Sequence, residues 1–363
     1  MEYRAMDARQ TAKYEITAPE YTPKERKATD KQRYGKIAGG GWRYTKGAEG
    51  KEVLITCVGD MLCEEKMYKA HQVKGGFDFQ DVFQFVRPAF LQSDLVIGNL
   101  ETTISLRSPY TGEQVRVGGK YHCNAPMEFL DAIKNAGFDF LIMSNNHNCD
   151  SGVNGLMETI HHVDAQGFMR TGAFTPEELK RWTMVEVSGI RMAVLAYSTW
   201  FNRNEGKLTE LGQNQILNKY SRDKVKRDIA AARADGAEYV LVYMHWGIDV
   251  EYKTEQSAAM VRMAQDVADC GADYIVGSHT HSLQPKSMVR SADGRDVPVI
   301  YSMGNFVTSE WNKISRKTAM LQIRLQKKDG KVVLLGDQVI PCMIPDRAFG
   351  AAYPIVPDAL LQE

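Results

Sequence analysis

The chain predicts an α/β fold built on a largely parallel sheet, and three features of the sequence carry that expectation. Short apolar runs alternate with amphipathic helical stretches along most of its length. The runs are apolar throughout and bounded by Gly, as the inner strands of parallel sheets are. Strand after strand ends in a polar or titratable cluster, and ligand sites collect at the carboxyl ends of such strands. A chain of 363 residues, 44% hydrophobic and 25% charged, can bury a large core as one α/β domain with appendages or as two smaller domains.

Taken in order, residues 1–50 are polar, rich in Lys, Arg, Glu and Tyr, and close on Gly39-Gly40-Gly41 and a second Gly-containing stretch. They read as an extended arm or leader. Tyr34, Trp42 and Tyr44 would be wasted in a wholly solvated tail and suit an arm that wraps a partner. The run 53–58 is a strand ending in Gly59-Asp60, a helical segment follows around 79–92, and the strand at 95–98 ends in Asn99-Leu100-Glu101. Residues 102–122 have no period and form a long polar loop, of the kind that often carries function. Pro126 opens a helix with Phe129, Ile133 and Ala136 on one face, stopped at Gly137.

The next strand, 138–143, ends in Ser144-Asn145-Asn146-His147-Asn148-Cys149-Asp150, and a helix runs from about Gly152 to Gln166. Strands at 184–187 and 192–197 are joined by Ser188-Gly189, a hairpin signal. A helix from about Ser221 to Ala234 precedes the strand 239–244, which ends in His245-Trp246-Gly247. A helix from about Thr254 to Cys270, stopped at Gly271, leads to a strand that ends in Gly277-Ser278-His279-Thr280-His281. The strand 297–302 ends in Met303-Gly304-Asn305-Phe306, and a hairpin of 318–327 with 331–340 turns at Asp329-Gly330. The tail after Pro341, with Pro345, Pro354 and Pro357, is expected to lie across the surface. The expected layout is an arm at 1–50, a main domain at 51–343 and a tail at 344–363.

Composition excludes several classes. With 45 basic and 45 acidic residues the net charge is zero, so nothing global argues for nucleic acid or an anionic membrane. A polyanion has to be held by a local patch, for which Arg107, Arg116, Lys120 and Arg203 are the candidates. The six cysteines form no C-x-x-C pair and no zinc-finger spacing. Cys57 and Cys270 read as buried free thiols; Cys63, Cys123 and Cys149 lie close to the strand-end motifs. The N-terminus has no apolar h-region and no apolar run reaches membrane-spanning length, so the expectation is a cytoplasmic protein able to join a membrane-associated complex.

The strand ends supply Asp60, Glu101, Asn146 with His147, His245, and then His279 and His281. Singly each has a structural explanation as a turn or a packing residue. Together they hold four of the eight histidines, and the neighbouring His161 and His162 read as surface. Carboxylates, imidazoles and one amide oxygen form a donor set suited to Mn, Fe or Zn rather than Ca or a thiolate zinc. One or two such ions stabilise displacement at phosphorus and bring the pKa of bound water toward neutrality.

Six motifs in this order, Gly59-Asp60, Gly98-Asn99-Leu100-Glu101, Asn145-Asn146-His147 with Asp150 and Gly152, His245-Trp246-Gly247, Gly277 to His281 and Tyr301 to Phe306, span residues 52–310. Their order resembles the calcineurin-like metallophosphoesterase superfamily and, within it, the CapA-type family associated with poly-γ-glutamate capsule synthesis. The resemblance implies a four-layer α-β-β-α sandwich of two sheets flanked by helices. It implies that Asp60, Glu101 and His281 hold one ion, and that Glu101 as bridge, Asn146, His245 and His279 hold a second. His147 then stands beside the substrate as general acid or oxyanion stabiliser, with Asp150, Asn99 and Asn305 as orienting groups. Two positions depart from the superfamily pattern, as they do in CapA-type proteins. Leu62 stands where an Asp-X-His motif has its imidazole, so the first ion site is expected to be weak, water-filled or empty. Glu101 replaces the usual bridging Asp and adds a methylene.

Three functions follow from these readings. The first is a metal-dependent hydrolase acting on a phosphoester or a γ-glutamyl amide. The second is a non-catalytic component of poly-γ-glutamate synthesis that holds anionic polymer within a capsule-synthesis complex. The third is a metal-free α/β protein whose polar strand ends are structural. Trp200, Trp246 and Trp311 could line a groove, although packing is their commoner role.

Overall fold

The computed structural model describes residues 33–361 apart from 38–39, 46–48, 107, 109, 111–115, 118–119, 204, 206–214, 311 and 349. Two large sheets face each other. The first contains β1 (Tyr34–Lys36), β2 (Trp42–Tyr44), β7 (Thr183–Val187), β8 (Ile190–Ser198), β9 (Tyr239–His245), β10 (Tyr274–Ser278), β11 (Lys286–Arg290) and β12 (Asp296–Ile300). Its spatial order is β1-β2-β7-β8-β9-β10-β12-β11, parallel from β8 through β12. The second contains β3 (Val53–Met61), β4 (Leu95–Leu100), β5 (Phe140–Ile142), β6 (Met169–Thr171), β13 (Asn305–Val307), β14 (Lys317–Lys328), β15 (Lys331–Met343) and β16 (Val356–Pro357). Its order is β6-β5-β4-β3-β14-β15-β16, with β13 also paired to β3.

The layering follows from the two-residue period of strand side chains. Ile55, Cys57, Leu95 and Ile97 of the second sheet meet Val194, Leu241, Tyr243 and Tyr274 of the first in one core between the sheets. After the short helices α1 (Glu65–Ala70) and α2 (Arg87–Gln92), the alternate residues Val58, Val96 and Leu141 face helices α3 (Met127–Ala136) and α4 (Gly152–Ala165). On the other side Val240, Val242 and Ile275 pack on α5 (Arg222–Ala234) and α6 (Ala258–Asp269). Helix, sheet, sheet, helix is the four-layer order expected. The helix ends match their chemistry: Ser221 and Ser257 cap α5 and α6 by accepting from the backbone N–H of Lys224 and Met260, and Gly137 ends α3 at a φ of 107°.

The structure departs from the sequence reading in three places. Of the arm expected at 1–50, residues 1–32 lie outside the described residues, while β1 and β2 pair antiparallel and extend the first sheet, with Val185 opposite Trp42. Tyr34 is buried and donates to the Asp94 carbonyl, while Arg33 pairs with Asp139, so the aromatic residues wrap this domain itself. The helix expected around 79–92 is split into a 3-10 turn at Gln80–Phe83 and a short helix at Arg87–Gln92, which restarts where Pro88 needs no N–H partner. The C-terminal segment is not a surface tail: Ile344, Ile355 and Val356 are buried, Val356 pairs with Met343, and the Ile355 N–H donates to the Val82 carbonyl. Among the described residues no helix is long and apolar enough to cross a membrane.

Candidate metal centre

Strand periodicity aims the candidate ligands into the space between the sheets. In β9, Leu241 and Tyr243 face the inter-sheet core, so His245 two residues on faces the same way. In β4, Leu95 and Ile97 set the same parity for Asn99 and, just beyond the strand, Glu101. Asp60 has the wrong parity relative to Cys57, but the register shifts between Cys57 and Asp60, and this bulge turns the carboxylate inward. The strands also press together here: a Cβ on Gly59 would lie 1.9 Å from the Gly304 carbonyl oxygen, and one on Gly277 1.9 Å from that of Tyr301. His279 and His281 leave β10 with φ of 92° and 57°, left-handed conformations that non-glycine residues hold mainly where a site requires them.

Asp60, Asn99, Glu101, Asn146, His245, His279 and His281 are all buried and all meet in this space. Asn99 donates to Asp60 Oδ1 at 2.6 Å, and the His279 backbone N–H donates to Asp60 Oδ2 at 2.8 Å. His245 Nε2 lies 2.7 Å from Asn146 Oδ1 and 3.5 Å from Glu101 Oε1, with its Nδ1 2.9 Å from Ser278 Oγ. Ser278 stands beside His245 because β9 and β10 run parallel with these two residues in register. His281 Nδ1 is 2.9 Å from Asn305 Oδ1. Glu101, His245 and His279 offer ligand atoms within 4.8 Å of one another.

This pocket is electrostatically unsatisfied as built from protein alone. Neither Glu101 oxygen and neither His279 ring nitrogen has a hydrogen-bond partner, although both residues are buried. A buried polar group left unpartnered costs about 1–3 kcal/mol, and more if charged. Burial, reinforced by Glu101, pushes Asp60 up to about 7, and burial likewise raises Glu101. Burial drives His245 down to about 3 and His279 well below its usual value, so both imidazoles are neutral and free to ligate. Burial also acts to lower His281, but Glu101, Glu310 and Asp60 outweigh it and raise it. Orphaned carboxylate oxygens facing neutral imidazoles fit a divalent cation, and this donor set is the mixed oxygen and nitrogen one expected for Mn, Fe or Zn.

His147 stands to one side. Its Nδ1 lies 2.6 Å from Asp150 Oδ2, and that same carboxylate oxygen accepts from the Cys123 backbone N–H at 2.7 Å. Burial works against its protonation, but the adjoining Cys123 and Asp150 outweigh it and raise His147 well above the usual imidazole value. The neighbouring Cys123 thiol, pushed up to about 12 by burial, is uncharged. Leu62 is buried with its N–H on the Val307 carbonyl, so no imidazole stands at the first strand end.

The proposed cationic patch is less fully described. Arg107 lies outside the described residues, and Arg116 and Lys120 are seen as backbone in a two-residue antiparallel pair. Arg203 is exposed, 5.8 Å over the Trp200 ring, and adjoins Asn202, whose Oδ1 accepts from Asn146 at 3.2 Å. Trp246 is fully buried and donates to the Tyr301 carbonyl, a packing role, while Trp311 lies outside the described residues. Cys57 is buried as expected, but Cys270 is half-exposed. His161 is exposed and His162 half-buried, 3.7 Å from Glu158.

Four residues at the centre escape the sequence reading. Ser278 anchors His245. Glu251 lies 3.4 Å from His279 Nε2, Tyr252 stacks on His281 at 5.2 Å and 16°, and Glu310 accepts from Tyr252 Oη at 3.0 Å and Asn305 Nδ2 at 3.3 Å. The one available signal was position: Glu251 and Tyr252 follow His245 by six and seven residues, and Glu310 follows Asn305 by five.

Comparison with known proteins bears on the same stretch. Similarity to the capsule biosynthesis protein CapA of Bacillus anthracis is 28% identity over 305 residues, 83% of this chain and 70% of that one. The PGA biosynthesis protein CapA of Bacillus subtilis is 27% identical over 272 residues, 74% and 67% of the two chains. Among solved structures the Haemophilus influenzae NAD nucleotidase aligns with a TM-score of 0.50 at 13% identity, covering 86% of this chain and 55% of that one, a likeness of fold alone. Residues 54–310 match the family described as bacterial capsule synthesis protein PGA_cap, a stretch that takes in all six strand-end motifs, and the chain therefore belongs to that family.

Proposed function

We propose that the chain is a metal-dependent hydrolase of capsule or poly-γ-glutamate synthesis, cleaving a phosphoester or a γ-glutamyl amide of an anionic substrate. The observation that carries this reading is the Glu101 carboxylate, buried with both oxygens unpartnered opposite two neutral imidazoles. Asp60, Glu101 and His281 would hold one cation, and Glu101, Asn146, His245 and His279 a second. A divalent cation there would polarise the scissile group and lower the pKa of attacking water. His147, held against Asp150, would donate a proton to the leaving group as the bond breaks. Asn99 keeps Asp60 oriented, and Asn305 keeps His281 oriented. Arg203, with Arg107, Arg116 and Lys120, would attract the substrate's negative charge. The capsule setting is supported by the family and by the names of the two Bacillus relatives.

One observation favours the second reading, a protein that holds anionic polymer without cleaving it. Leu62 is buried at the first strand end, where an imidazole is expected, and its place there would weaken the first cation site. Elemental analysis of tag-free protein separates the two. About two equivalents of Mn, Fe or Zn per chain, lost in both His245→Ala and His281→Ala, together with hydrolysis in a phosphoester and γ-glutamyl amide screen, is the expected result. One equivalent, lost only with His245→Ala, would mean that the first site is empty and would favour one-metal amide chemistry or, without hydrolysis, the holding role. No bound metal under any loading condition would overturn both.

A further inference from the structure

The three imidazoles of the centre differ in how they are anchored. His245 and His281 each have their Nδ1 tied to an outer group, Ser278 Oγ and Asn305 Oδ1, both at 2.9 Å. That leaves the Nε2 of His281 for a cation and sets His245 Nε2 2.7 Å from Asn146 Oδ1, the candidate ligand beside it. His279 has no such tie: it is buried, and neither ring nitrogen has a hydrogen-bond partner. A neutral imidazole carries one N–H, and which nitrogen carries it decides which lone pair is available to ligate.

Glu251 is placed to make that choice. Its Oε1 lies 3.4 Å from His279 Nε2, and among the described residues it is the one carboxylate within ion-pair distance of that ring. A shift of a few tenths of an ångström would complete a hydrogen bond. The side chain is 39% exposed and free to make that shift, whereas the backbone around it is fixed. Gly247 and Tyr252 take φ of 86° and 58°, bending the segment back over the centre. The Tyr252 N–H donates to the Thr280 carbonyl at 2.7 Å, pinning the segment to the turn that carries both histidines. The Tyr252 ring lies flat on His281, and its hydroxyl donates to Glu310.

We propose that Glu251 is a positioning residue that accepts the Nε2–H of His279 and so leaves its Nδ1 lone pair for the cation. The proposal rests on the metal-centre reading above. It also explains why a centre that lacks an imidazole at Leu62 keeps a carboxylate at its rim: the remaining ligands gain from being held in one tautomer. A histidine ligand whose second N–H is given to a carboxylate is a recurrent arrangement around bound metals, and its loss typically weakens metal affinity about 10–100-fold.

The test is Co²⁺ titration against a chromophoric chelator, with the visible absorption of the bound ion recorded, for wild type, E251A, E251Q and H245A. E251A should weaken Co²⁺ binding by about 10–100-fold, and E251Q, whose amide oxygen still accepts the Nε2–H, should recover most of it with an unchanged spectrum. Wild-type affinity in E251A would overturn the proposal. So would E251Q as weak as E251A with an altered spectrum, which would make Glu251 a direct ligand alongside His279 and His281. A fall in the melting temperature of metal-free E251A is controlled by the same E251Q comparison. Wild type that binds no Co²⁺ would instead remove the metal centre itself, whereas binding lost in H245A and unchanged in E251A removes only the role of Glu251.

Discussion

His147 is the imidazole of the centre that should not bind metal. Its Nδ1 is committed to Asp150, and Cys123 with Asp150 raises its pKa against burial. Replacing it with Ala should lower turnover by about 10²–10⁴-fold, the usual worth of a general acid, with metal content unchanged. A parallel loss of metal would make it a ligand and reverse the assignment. At this scale much of the centre was legible in the sequence, because a histidine, aspartate or asparagine at a strand's carboxyl end has few ways to be elsewhere. Glu251 and Glu310 were not, because each reaches the centre from a loop whose path depends on left-handed residues and tertiary contacts rather than on any period. The cationic patch was read from charge alone, and its geometry is described at Arg203 only.

At the scale of elements, the centre depends on how closely strands pass. Gly277 lies against the Tyr301 carbonyl and 2.7 Å, measured from a built Cβ, from Trp246 Nε1. Gly277→Ala should therefore destabilise the fold by about 1–3 kcal/mol or more, read as a lower denaturation midpoint, because the obstacle is backbone and cannot swing aside. Unchanged stability would mean that β10 and the segment after β12 separate easily. Elements whose signal is local were read correctly from sequence: α3 with its Gly137 stop, and the β14–β15 hairpin, whose Asp329 and Gly330 both take positive φ. The N-terminal hairpin and the C-terminal strand were missed because they are short and hydrophobic at few positions. What fixes them is tertiary pairing, of Trp42 with the distant Val185 and of Val356 with Met343.

At the scale of the molecule, the ligands divide between the layers. Asp60, Glu101 and Asn146 leave strands of the second sheet, while His245, His279 and His281 leave strands of the first. Binding that is confined to the folded state stabilises it by about 2.7 kcal/mol when the free ion is at 100 times its dissociation constant. Chelation should accordingly lower the melting temperature by several degrees, and readdition of Mn, Fe or Zn should restore it. An unchanged melting curve on chelation would argue that the protein is purified without the ion.

The segment from Tyr301 to Val307 adds a covalent counterpart to this division, since it leaves β12 in the first sheet and enters β13, which pairs with β3 in the second. On the way it supplies Asn305 to His281 and the Gly304 carbonyl to the Asp60 N–H. The two slabs are thus buckled together at one end by a short length of chain. A cation held by residues of both sheets would close the same end a second time, without a covalent bond.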